Sequence, residues 1–380
     1  GADSMAGAIN GGEFNIAIGR QTLDALTSGD SNVAIGYNAG SAMTTGSENV
    51  MIGLNAVANG VMTSSYNTII GAGAGLNKTS GGSNVFLGYQ SGEQCTTAAR
   101  SIFIGSTAGD DHDTENDNLG IGDGALGGSI AGGEKNVAIG NYSLDALTSG
   151  DNNIAVGYNA GTSLTSGNEN TIMGDASAGV LTSGDNNTVI GKDCFNAGTT
   201  TLQTGDNNIA LGFKCKVSAT NANLQFVIGN NVQSNGNSTT TIGYDTTEIA
   251  TNHGSASWAA VSDERYKKDI ENSSAGLSFI NDLRPVTFKF KQKNELATDL
   301  YGYDANSTDT DGYTDEVAHG FIAQEIKTVI DNHPEIKAGQ EIWKEAPEIK
   351  GKRQNVSHIG MIPMLVKAVQ ELSAQVTTLQ

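Results

Sequence analysis

Cysteine, proline and basic residues are scarce in this chain of 380 residues, and each scarcity excludes a class of protein. The three cysteines, Cys95, Cys194 and Cys215, are an odd number without a CxxC spacing. They therefore argue against a disulfide framework or a zinc site and favour small buried hydrophobic residues. Four prolines stand beside fifty glycines without any Gly-x-y period, which excludes collagen. The formal charge of −20 argues against a nucleic-acid partner, because phosphate binding depends on Lys and Arg.

Long hydrophobic runs are also absent. No run approaches the roughly 20 apolar residues that a membrane-spanning helix needs, so we expect no membrane insertion. No signal peptide is visible, and a cytoplasmic site of assembly fits the free cysteines. The first residues, GADSM, are typical of a cloning remnant, and we expect residues 1–9 to be that remnant and a lead-in outside the fold.

What the chain has instead is an internal repeat. Short apolar segments such as NIAIG end in a glycine, and the glycines recur 17 or 18 residues apart up to Gly191, and then after 21, 17 and 14 residues. The fourteen glycines are Gly19, Gly36, Gly53, Gly71, Gly88, Gly105, Gly122, Gly140, Gly157, Gly174, Gly191, Gly212, Gly229 and Gly243. In eleven units an asparagine stands four residues before the glycine: Asn15, Asn32, Asn49, Asn67, Asn84, Asn118, Asn136, Asn153, Asn170, Asn187 and Asn208.

Each unit predicts a short β-branched strand followed by turns, in which Gly and Asn supply the corners of positive φ. A helical repeat is excluded, because no segment keeps a 3.6-residue period and each glycine would cost a helix about 1 kcal/mol. We therefore expect residues 10–245 to form a shaft of fourteen stacked β-coils, with a ladder of buried asparagines. One coil cannot bury its apolar face alone, so stacking and a trimer axis are expected to bury it. The one insertion, around residues 196–205, is the candidate receptor contact.

These units resemble the shafts of phage and virus fibres and, more distantly, the head repeats of trimeric bacterial adhesins. The similarity covers about residues 10–245. It implies a parallel homotrimer in which β-coils wind along or around a shared axis.

One acidic stretch, GDDHDTENDN at 109–118, interrupts the repeat pattern. Asp111, Asp113, Glu115 and Asp117 alternate, so an extended strand would place them on one face, where three copies would offer oxygen ligands for Ca²⁺. The stretch lacks the Gly and final Glu of an EF-hand loop, and its charge pattern favours a solvated acidic loop. We expect no other metal and no cofactor.

The composition changes after about residue 257. Residues 258–380 hold 14 of the 21 lysines and arginines. VTFKFK at 286–291 predicts a strand, and the segment at 319–336 predicts a helix that ends near Pro334. At the C-terminus, apolar residues with alternating spacings of three and four predict a self-associating coiled-coil helix. They are Ile362, Leu365, Val369, Leu372, Val376 and Leu379.

Three segments of this part carry a second resemblance. They are the border motif Ser262-Asp263-x-Arg265-x-Lys267 with Ile270, then GFIAQE at 320–325, and then MLVKAVQEL at 364–372. In this order they resemble the intramolecular chaperone of endosialidases and phage tail fibres, whose relatives share a serine–lysine motif. The resemblance implies a domain that drives trimerisation of the fibre before it and then cuts itself off. It places the catalytic dyad at Ser262 and Lys267, with Asp263 and Arg265 as a supporting pair.

The chemistry of the border can also be judged from its residues. Serine is a weak nucleophile that needs a nearby base, and lysine can be that base where burial favours its neutral form. Attack by Ser262 on its own preceding carbonyl would cut the Val261–Ser262 bond. Alternatively, Ser262 is only the N-cap of an ordinary helix. Lys268 is the competing lysine, and we interpret it as a surface residue.

The fold class expected from the sequence is therefore mostly β: a trimeric β-coil shaft, a linker at 246–261, and a small α+β chaperone and autoprotease domain at 262–380 that ends in a coiled-coil helix. The predicted function is a phage tail fibre that contacts a host-surface receptor, sits in the virion tail and assembles in the host cytoplasm. A polysaccharide-degrading tailspike and a cell-surface trimeric adhesin are the alternatives, although few aromatic residues are present to form a sugar platform.

Overall fold

The computed structural model describes residues 1–7, 10–129, 131–196, 203–255, 259–260, 264, 267–299, 303–307, 317–336, 342–345 and 354–379. The chain separates into two compact units, Gly1–Ser262 and Asp263–Gln380. Within the described residues, no helix is both long enough and apolar enough to cross a membrane.

The first unit is a β-solenoid of about 13 turns, as the repeat predicts. Fourteen strands pair in parallel, each with the next strand along the chain, and each ends at or beside a repeat glycine. They are β1 (Ile16–Ile18), β2 (Val33–Ile35), β3 (Val50–Ile52), β4 (Thr68–Ile70), β5 (Val85–Leu87), β6 (Ile102–Ile104), β7 (Leu119–Ile121), β8 (Val137–Ile139), β9 (Ile154–Val156), β10 (Thr171–Met173), β11 (Thr188–Ile190), β12 (Ile209–Phe213), β13 (Gln225–Asn230) and β14 (Thr239–Tyr244).

The interior of the solenoid is filled by columns of equivalent residues. Because side chains of a strand alternate between faces, the central residue of each three-residue strand points inward. Ala34, Met51, Ile69 and Phe86 are such residues in consecutive turns, and all four are fully buried. The two flanking residues of each strand point outward.

Tight backbone contact explains the glycine column. Gly36 has a φ of 129°, and a Cβ built there would lie 2.5 Å from the carbonyl oxygen of Gly53 in the next turn. Any side chain would therefore have to push the two turns apart.

The corners of the coil are only partly the Gly and Asn corners expected from the sequence. Leu23, Val57 and Phe195 also adopt left-handed φ values of 49°, 54° and 56°. Such conformations cost a non-glycine residue about 1–3 kcal/mol. Here the side chain is buried and the neighbouring turns fix the backbone by hydrogen bonds, so packing and pairing offset the strain.

Two segments expected to lie outside the repeat belong to the solenoid unit. Residues 1–5, interpreted as a cloning remnant, repeat the backbone of Gly19–Leu23: Asp3 and Met5 have the same left-handed φ as the equivalent Gln21 and Leu23, and Met5 N–H donates to Thr22 O at 2.9 Å. The expected linker at 246–261 contains β15 (Thr247–Asn252), antiparallel to β14, and β16 (Ala259–Ala260), antiparallel to β15. Both segments therefore pack as part of the solenoid unit.

The second unit is a small α+β fold. Its elements are α1 (Leu277–Asp282), β17 (Val286–Phe288), β18 (Ala318–Gly320), α2 (Ala323–Asn332), β19 (Trp343–Glu345), β20 (Gln354–Val356) and α3 (Ile362–Leu379). β17 pairs antiparallel with β18, and β19 with β20. The core gathers Ala275, Phe279, Ile326, Ile330, Ile336, Ile342 and Met361.

The predicted strand and helices of this unit exist with different limits. The strand stops at Phe288 rather than at residue 291, and His319 and Gly320 lie in β18 rather than in the helix. Helix α2 ends at Asn332, two residues before Pro334, as the proline requires. The C-terminal helix α3 covers all six apolar positions expected from the sequence.

Candidate functional site: the border segment and the C-terminal unit

The border segment follows directly from the last strands of the solenoid unit. Ile249 pairs with Ala260 and Ala250 with Ala259, so the chain is held against β15 one residue before Val261. The pairing of the described chain therefore reaches Ala260, two residues before Ser262.

Of the predicted catalytic group, only the lysine is among the described residues. Val261, Ser262, Asp263 and Arg265 lie outside them, so the Ser262–Lys267 geometry stays a prediction. Lys267 N–H donates to Glu264 O at 3.0 Å. This bond joins two described residues that are three apart in sequence.

Both lysines of the border are exposed in the single chain. Exposure therefore does not show which of the two lysines, Lys267 or Lys268, would act as the base. A serine–lysine mechanism needs a desolvated amine, because burial disfavours the charged form of lysine. The burial that the chemistry requires would have to come from another part of the assembly.

The segment GFIAQE connects β18 to the start of α2. Arg284 Nε donates to Glu325 Oε2 at 3.0 Å, and the second guanidinium contact reaches Glu325 Oε1. The hydrogen bond from Arg284 holds the pKa of the Glu325 carboxyl below its ordinary value. This bidentate pair between the Arg284 guanidinium and the Glu325 carboxylate joins the chain after α1 to the first turn of α2. The sequence did not predict this pair.

A second polar group lies at the end of α2. His333 Nε2 is 2.8 Å from Asp282 Oδ2, and His333 Nδ1 is 2.7 Å from Glu335 Oε1, while the ring packs edge-on against Phe279. Hydrogen bonds to Asp282 and Glu335 raise the pKa of His333. Asp282 is 51 residues away in sequence, so no local pattern could have indicated the contact.

An open pocket of about 470 Å³ lies between the paired strands β17 and β18 and the segment at His358, four residues before α3. Its lining includes Thr287, His319, Phe321 and His358, and the His358 ring packs against Phe321 at 5.7 Å between centroids. It holds no opposed acid and base of the kind that hydrolysis of a bound substrate needs.

Helix α3 leaves an apolar stripe exposed. Ile362, Leu365, Val369, Leu372 and Val376 are between 46% and 66% exposed, although they form a regular heptad pattern. The neighbouring side of the helix is occupied: Ala368 is buried, and Glu371 Oε2 accepts a hydrogen bond from Leu277 N–H at the start of α1.

The solenoid also exposes a long apolar surface, here called the outer sheet face. It is defined by the two residues on either side of the first inward-pointing residue in each strand from β1 to β12. Of these 24 positions, 21 carry Ile, Val, Leu or Met and three carry Thr. Ile18, Leu87 and Leu211 are 58%, 43% and 47% exposed. At about 4.8 Å per strand the face is roughly 50 Å long, far longer than the isolated apolar patches that are ordinary on monomers.

Within the single chain the acidic stretch at 109–118 does not gather its four carboxylates, and the Ca²⁺ site expected between three copies stays a prediction. The residues of this stretch lie in a turn and a loop rather than in an extended strand, so the four carboxylates share no face. Glu115 is buried and accepts hydrogen bonds from the backbone N–H groups of residues 113, 114 and 132, and Asp117 pairs with Arg100 at 2.6 Å. No group of His, Cys, Asp and Glu among the described residues could hold a metal ion.

One interior column was missed from the sequence. Lys78, Cys95 and His112 each stand seven residues after a repeat glycine, in three consecutive turns, and all are fully buried. Burial lowers the pKa of Lys78 to about 8 and that of His112 to about 3. The same position holds Leu26, Leu147 and Leu164 elsewhere, so aligning the repeats would have found it.

The match to a known protein family begins at Ser262, the first residue of the predicted border motif. Residues 262–333 match the family Peptidase_S74, chaperone of endosialidase. The matched segment is about a fifth of the chain and runs from Ser262 through α1, β17, β18 and α2 to His333. No curated protein and no solved structure matches the chain. The match supports an intramolecular chaperone with the self-cleaving activity that the family name suggests, placed after a repetitive β-solenoid.

Proposed function

We propose that this chain is the subunit of a phage tail fibre, in which the C-terminal unit drives assembly of a parallel homotrimer and then releases itself at the Val261–Ser262 bond. The observation that carries the proposal is the position of the chaperone match, which begins at Ser262, directly after the last strand of a β-solenoid. The fibre would contact a receptor on the host surface, sit in the virion tail and be assembled in the host cytoplasm.

The outer sheet face supports the trimer. A single chain leaves a flat surface of Ile, Val and Leu side chains partly exposed along the solenoid, with no charged residue in its 24 positions. The chain carries a net charge of −20, all of it outside this face. Three parallel copies would bury the apolar face around a common axis and leave the acidic turns in water.

The exposed apolar stripe on the C-terminal helix α3 also supports a parallel homotrimer. Its heptad positions are exposed in the single chain and match the seam of a parallel coiled coil. In the proposed order of events α3 associates first and fixes the three chains in register, so that the solenoid turns meet their equivalents.

The cleavage step follows from the chemistry of the border. Lys267, as a neutral amine, takes the proton of the Ser262 hydroxyl. The Ser262 oxygen then bonds to the carbonyl carbon of Val261 while the bond from that carbon to the Ser262 nitrogen breaks, and the nitrogen takes up the proton. Water hydrolyses the resulting ester, which leaves a carboxylate on Val261 and a free amine on Ser262.

Assembly would switch the reaction on. Because Lys267 is exposed in one chain, neighbouring chains of the trimer would supply the desolvation that favours its neutral form. The order is useful, since a half-formed fibre that lost its chaperone would not finish assembling.

Cleavage is tested on three single variants of the full chain, analysed by intact mass and by light scattering. We expect Ser262→Ala and Lys267→Ala to give trimers of uncut chains of 39.1 kDa, whereas the wild type separates at Val261–Ser262. Lys268→Ala, the matched control with the neighbouring lysine removed, should still cut. Ser262→Ala chains that cut as fast as the wild type would contradict the serine mechanism, and monomeric chains would contradict the trimer.

A further inference from the structure

Two of the three cysteines stand next to each other in the solenoid interior. Cys194 comes three residues after Gly191, and Cys215 comes three residues after Gly212, so they occupy the same position in consecutive turns. The strands before them pair in register, with Ile190 opposite Leu211, and Phe195 N–H donates to Cys215 O at 2.8 Å. Adjacent parallel strands are about 4.8 Å apart, within the roughly 4.4–6.8 Å between Cα atoms that a disulfide spans.

The column that holds these cysteines is otherwise a column of small residues. The equivalent positions are fully buried in every turn, and from the first to the last they carry Thr22, Ala39, Ala56, Ala74, Ser91, Ala108, Ala125, Ser143, Ala160, Ser177, Cys194, Cys215 and Val232. Thiols fit such a column without rearranging the backbone. Only one pair of consecutive turns has a thiol in both.

The sulfur atoms are aimed along the column. Cys194 Sγ donates to Gly212 O at 3.1 Å, which belongs to the turn of Cys215, and Cys215 Sγ donates to Gly229 O at 3.4 Å. The neighbouring Cys215 side chain lowers the pKa of the Cys194 thiol, and the neighbouring Cys194 together with burial raises the pKa of the Cys215 thiol. Cys194 is therefore the thiol of the pair that loses its proton more readily, and it is the one expected to react first.

We propose that Cys194 and Cys215 are an oxidation site that closes to a disulfide between adjacent turns when the assembled protein meets a peroxide. The Cys194 thiolate attacks one oxygen of hydrogen peroxide and breaks the O–O bond, giving a sulfenic acid and, with a proton, one water. The Cys215 sulfur then attacks the Cys194 sulfur and expels a second water. In sum, two thiols and one hydrogen peroxide give one disulfide and two waters.

The bond would join the turns on either side of the longest step in the repeat, the 21 residues between Gly191 and Gly212. A disulfide stabilises mainly by restricting the unfolded chain, so it would hold together the unit whose connection is longest. The reduced form made in a reducing compartment would convert to the oxidised form outside it.

The test uses the full-length assembled protein, kept reduced or treated with hydrogen peroxide below its melting temperature, then denatured in an alkylating reagent. We expect the treated chain to take up one alkyl group, on Cys95, instead of three, and to give a Cys194–Cys215 linked peptide after digestion. A sample that is not alkylated should have an intact mass lower by two hydrogen atoms. Thermal unfolding of the treated protein should move to a higher temperature.

Three serine variants serve as controls. Cys95→Ser lies in a different column and should behave like the wild type, whereas Cys194→Ser and Cys215→Ser should lose both the mass change and the thermal shift. Serine is tolerated at this position, since Ser143 and Ser177 occupy it in other turns. The proposal is overturned if the treated wild type keeps three thiols, if Cys194 gains oxygen atoms without losing its partner's thiol, or if the linked peptide joins two chains.

Discussion

At the scale of single residues, the solenoid is held by a ladder of asparagine side chains. Asn153 Oδ1 accepts from the N–H and the Nδ2 of Asn170, and Asn153 Nδ2 donates to Gly167 O at 2.8 Å. Each asparagine thus satisfies backbone groups of the next turn that no strand reaches. Ser101 and Gln225 replace the asparagine in two units, and their backbone N–H groups keep the hydrogen bond to the asparagine of the preceding turn. Ser101 N–H donates to Asn84 Oδ1 at 2.9 Å, and Gln225 N–H donates to Asn208 Oδ1 at 3.0 Å.

Replacing one member of the ladder tests its energetic weight. Asn153→Ala leaves the buried N–H of Asn170 without an acceptor and Gly167 O without a donor, at a cost of about 1–3 kcal/mol for each unsatisfied group. We expect the free energy of unfolding, measured in denaturant, to fall by at least about 2 kcal/mol. Asn141→Ala is the matched control, because Asn141 is exposed and water can replace its contact with Asp123 N–H; its effect should stay within about 0.5 kcal/mol. Equal effects of the two variants would contradict the ladder's role.

His333 makes the C-terminal unit sensitive to pH. Its pKa is raised by Asp282 and Glu335, so the folded state holds the proton more tightly than the unfolded state does. The stabilisation is therefore complete below the ordinary histidine pKa of 6.5 and is lost as the pH rises through the raised value. We expect the urea midpoint of this unit, followed by tryptophan fluorescence, to be lower at pH 9 than at pH 6. His333→Gln should remove most of that difference, and a difference that survives in the variant would assign it to other groups.

At the scale of elements, helix α3 has two working faces. One packs on α1 through Ala368 and the cap made by Glu371, and the other carries the exposed heptad stripe. The heptad spacing predicted the second face, whereas the first is visible only in the folded unit, because Glu371 and Leu277 are 94 residues apart.

A charge placed on the stripe tests its part in assembly. Val369→Glu would bury three carboxylates at the proposed seam, so we expect monomers or aggregates instead of trimers by light scattering, and no cleavage at Val261–Ser262. Gln370→Glu adds the same charge to an exposed position one residue away and should leave trimers intact. Intact trimers from Val369→Glu would place the assembly contact elsewhere.

At the scale of the whole molecule, the two units differ in how well they specify the register between three chains. The outer sheet face presents nearly the same residues in every turn, so three shafts shifted by one turn would bury almost the same apolar area. Register is therefore weakly specified by the shaft itself. A C-terminal unit that trimerises first would fix the register and raise the local concentration of the three shafts.

Removal of the C-terminal unit tests that division of labour. A chain that ends at Ser257 should give misassembled or insoluble shaft, whereas the uncut Ser262→Ala chain should give a soluble trimer under the same conditions. Light scattering and electron micrographs of the two preparations would measure the difference. Soluble shaft of trimer mass from the shortened chain would count against the chaperone role.

The sequence alone determined the features that are local and repeated. Most solenoid strands follow one pattern, an Asn, an apolar triplet and a Gly within five residues, so the fourteen strands and the asparagine ladder could be read from spacing. The three cysteines were expected to be buried, and they are. The same holds for α3, whose heptad lies within one helix. The border motif was recognised from Ser262 and Lys267, but their geometry stays a prediction.

The tertiary structure decided whatever depends on residues that are distant along the chain or on which turn lies above another. Residues 1–5 carry no clear repeat signature and are ordered by stacking on Gly19–Leu23. Glu115 is a buried hydrogen-bond acceptor because its own turn and the next one place backbone N–H groups around it. His333 meets Asp282, and Cys194 meets Cys215, only after folding. A pattern along the chain fixes which residues are alike, but contact between them is fixed by the packing of turns and helices, which has to satisfy every buried polar group at once.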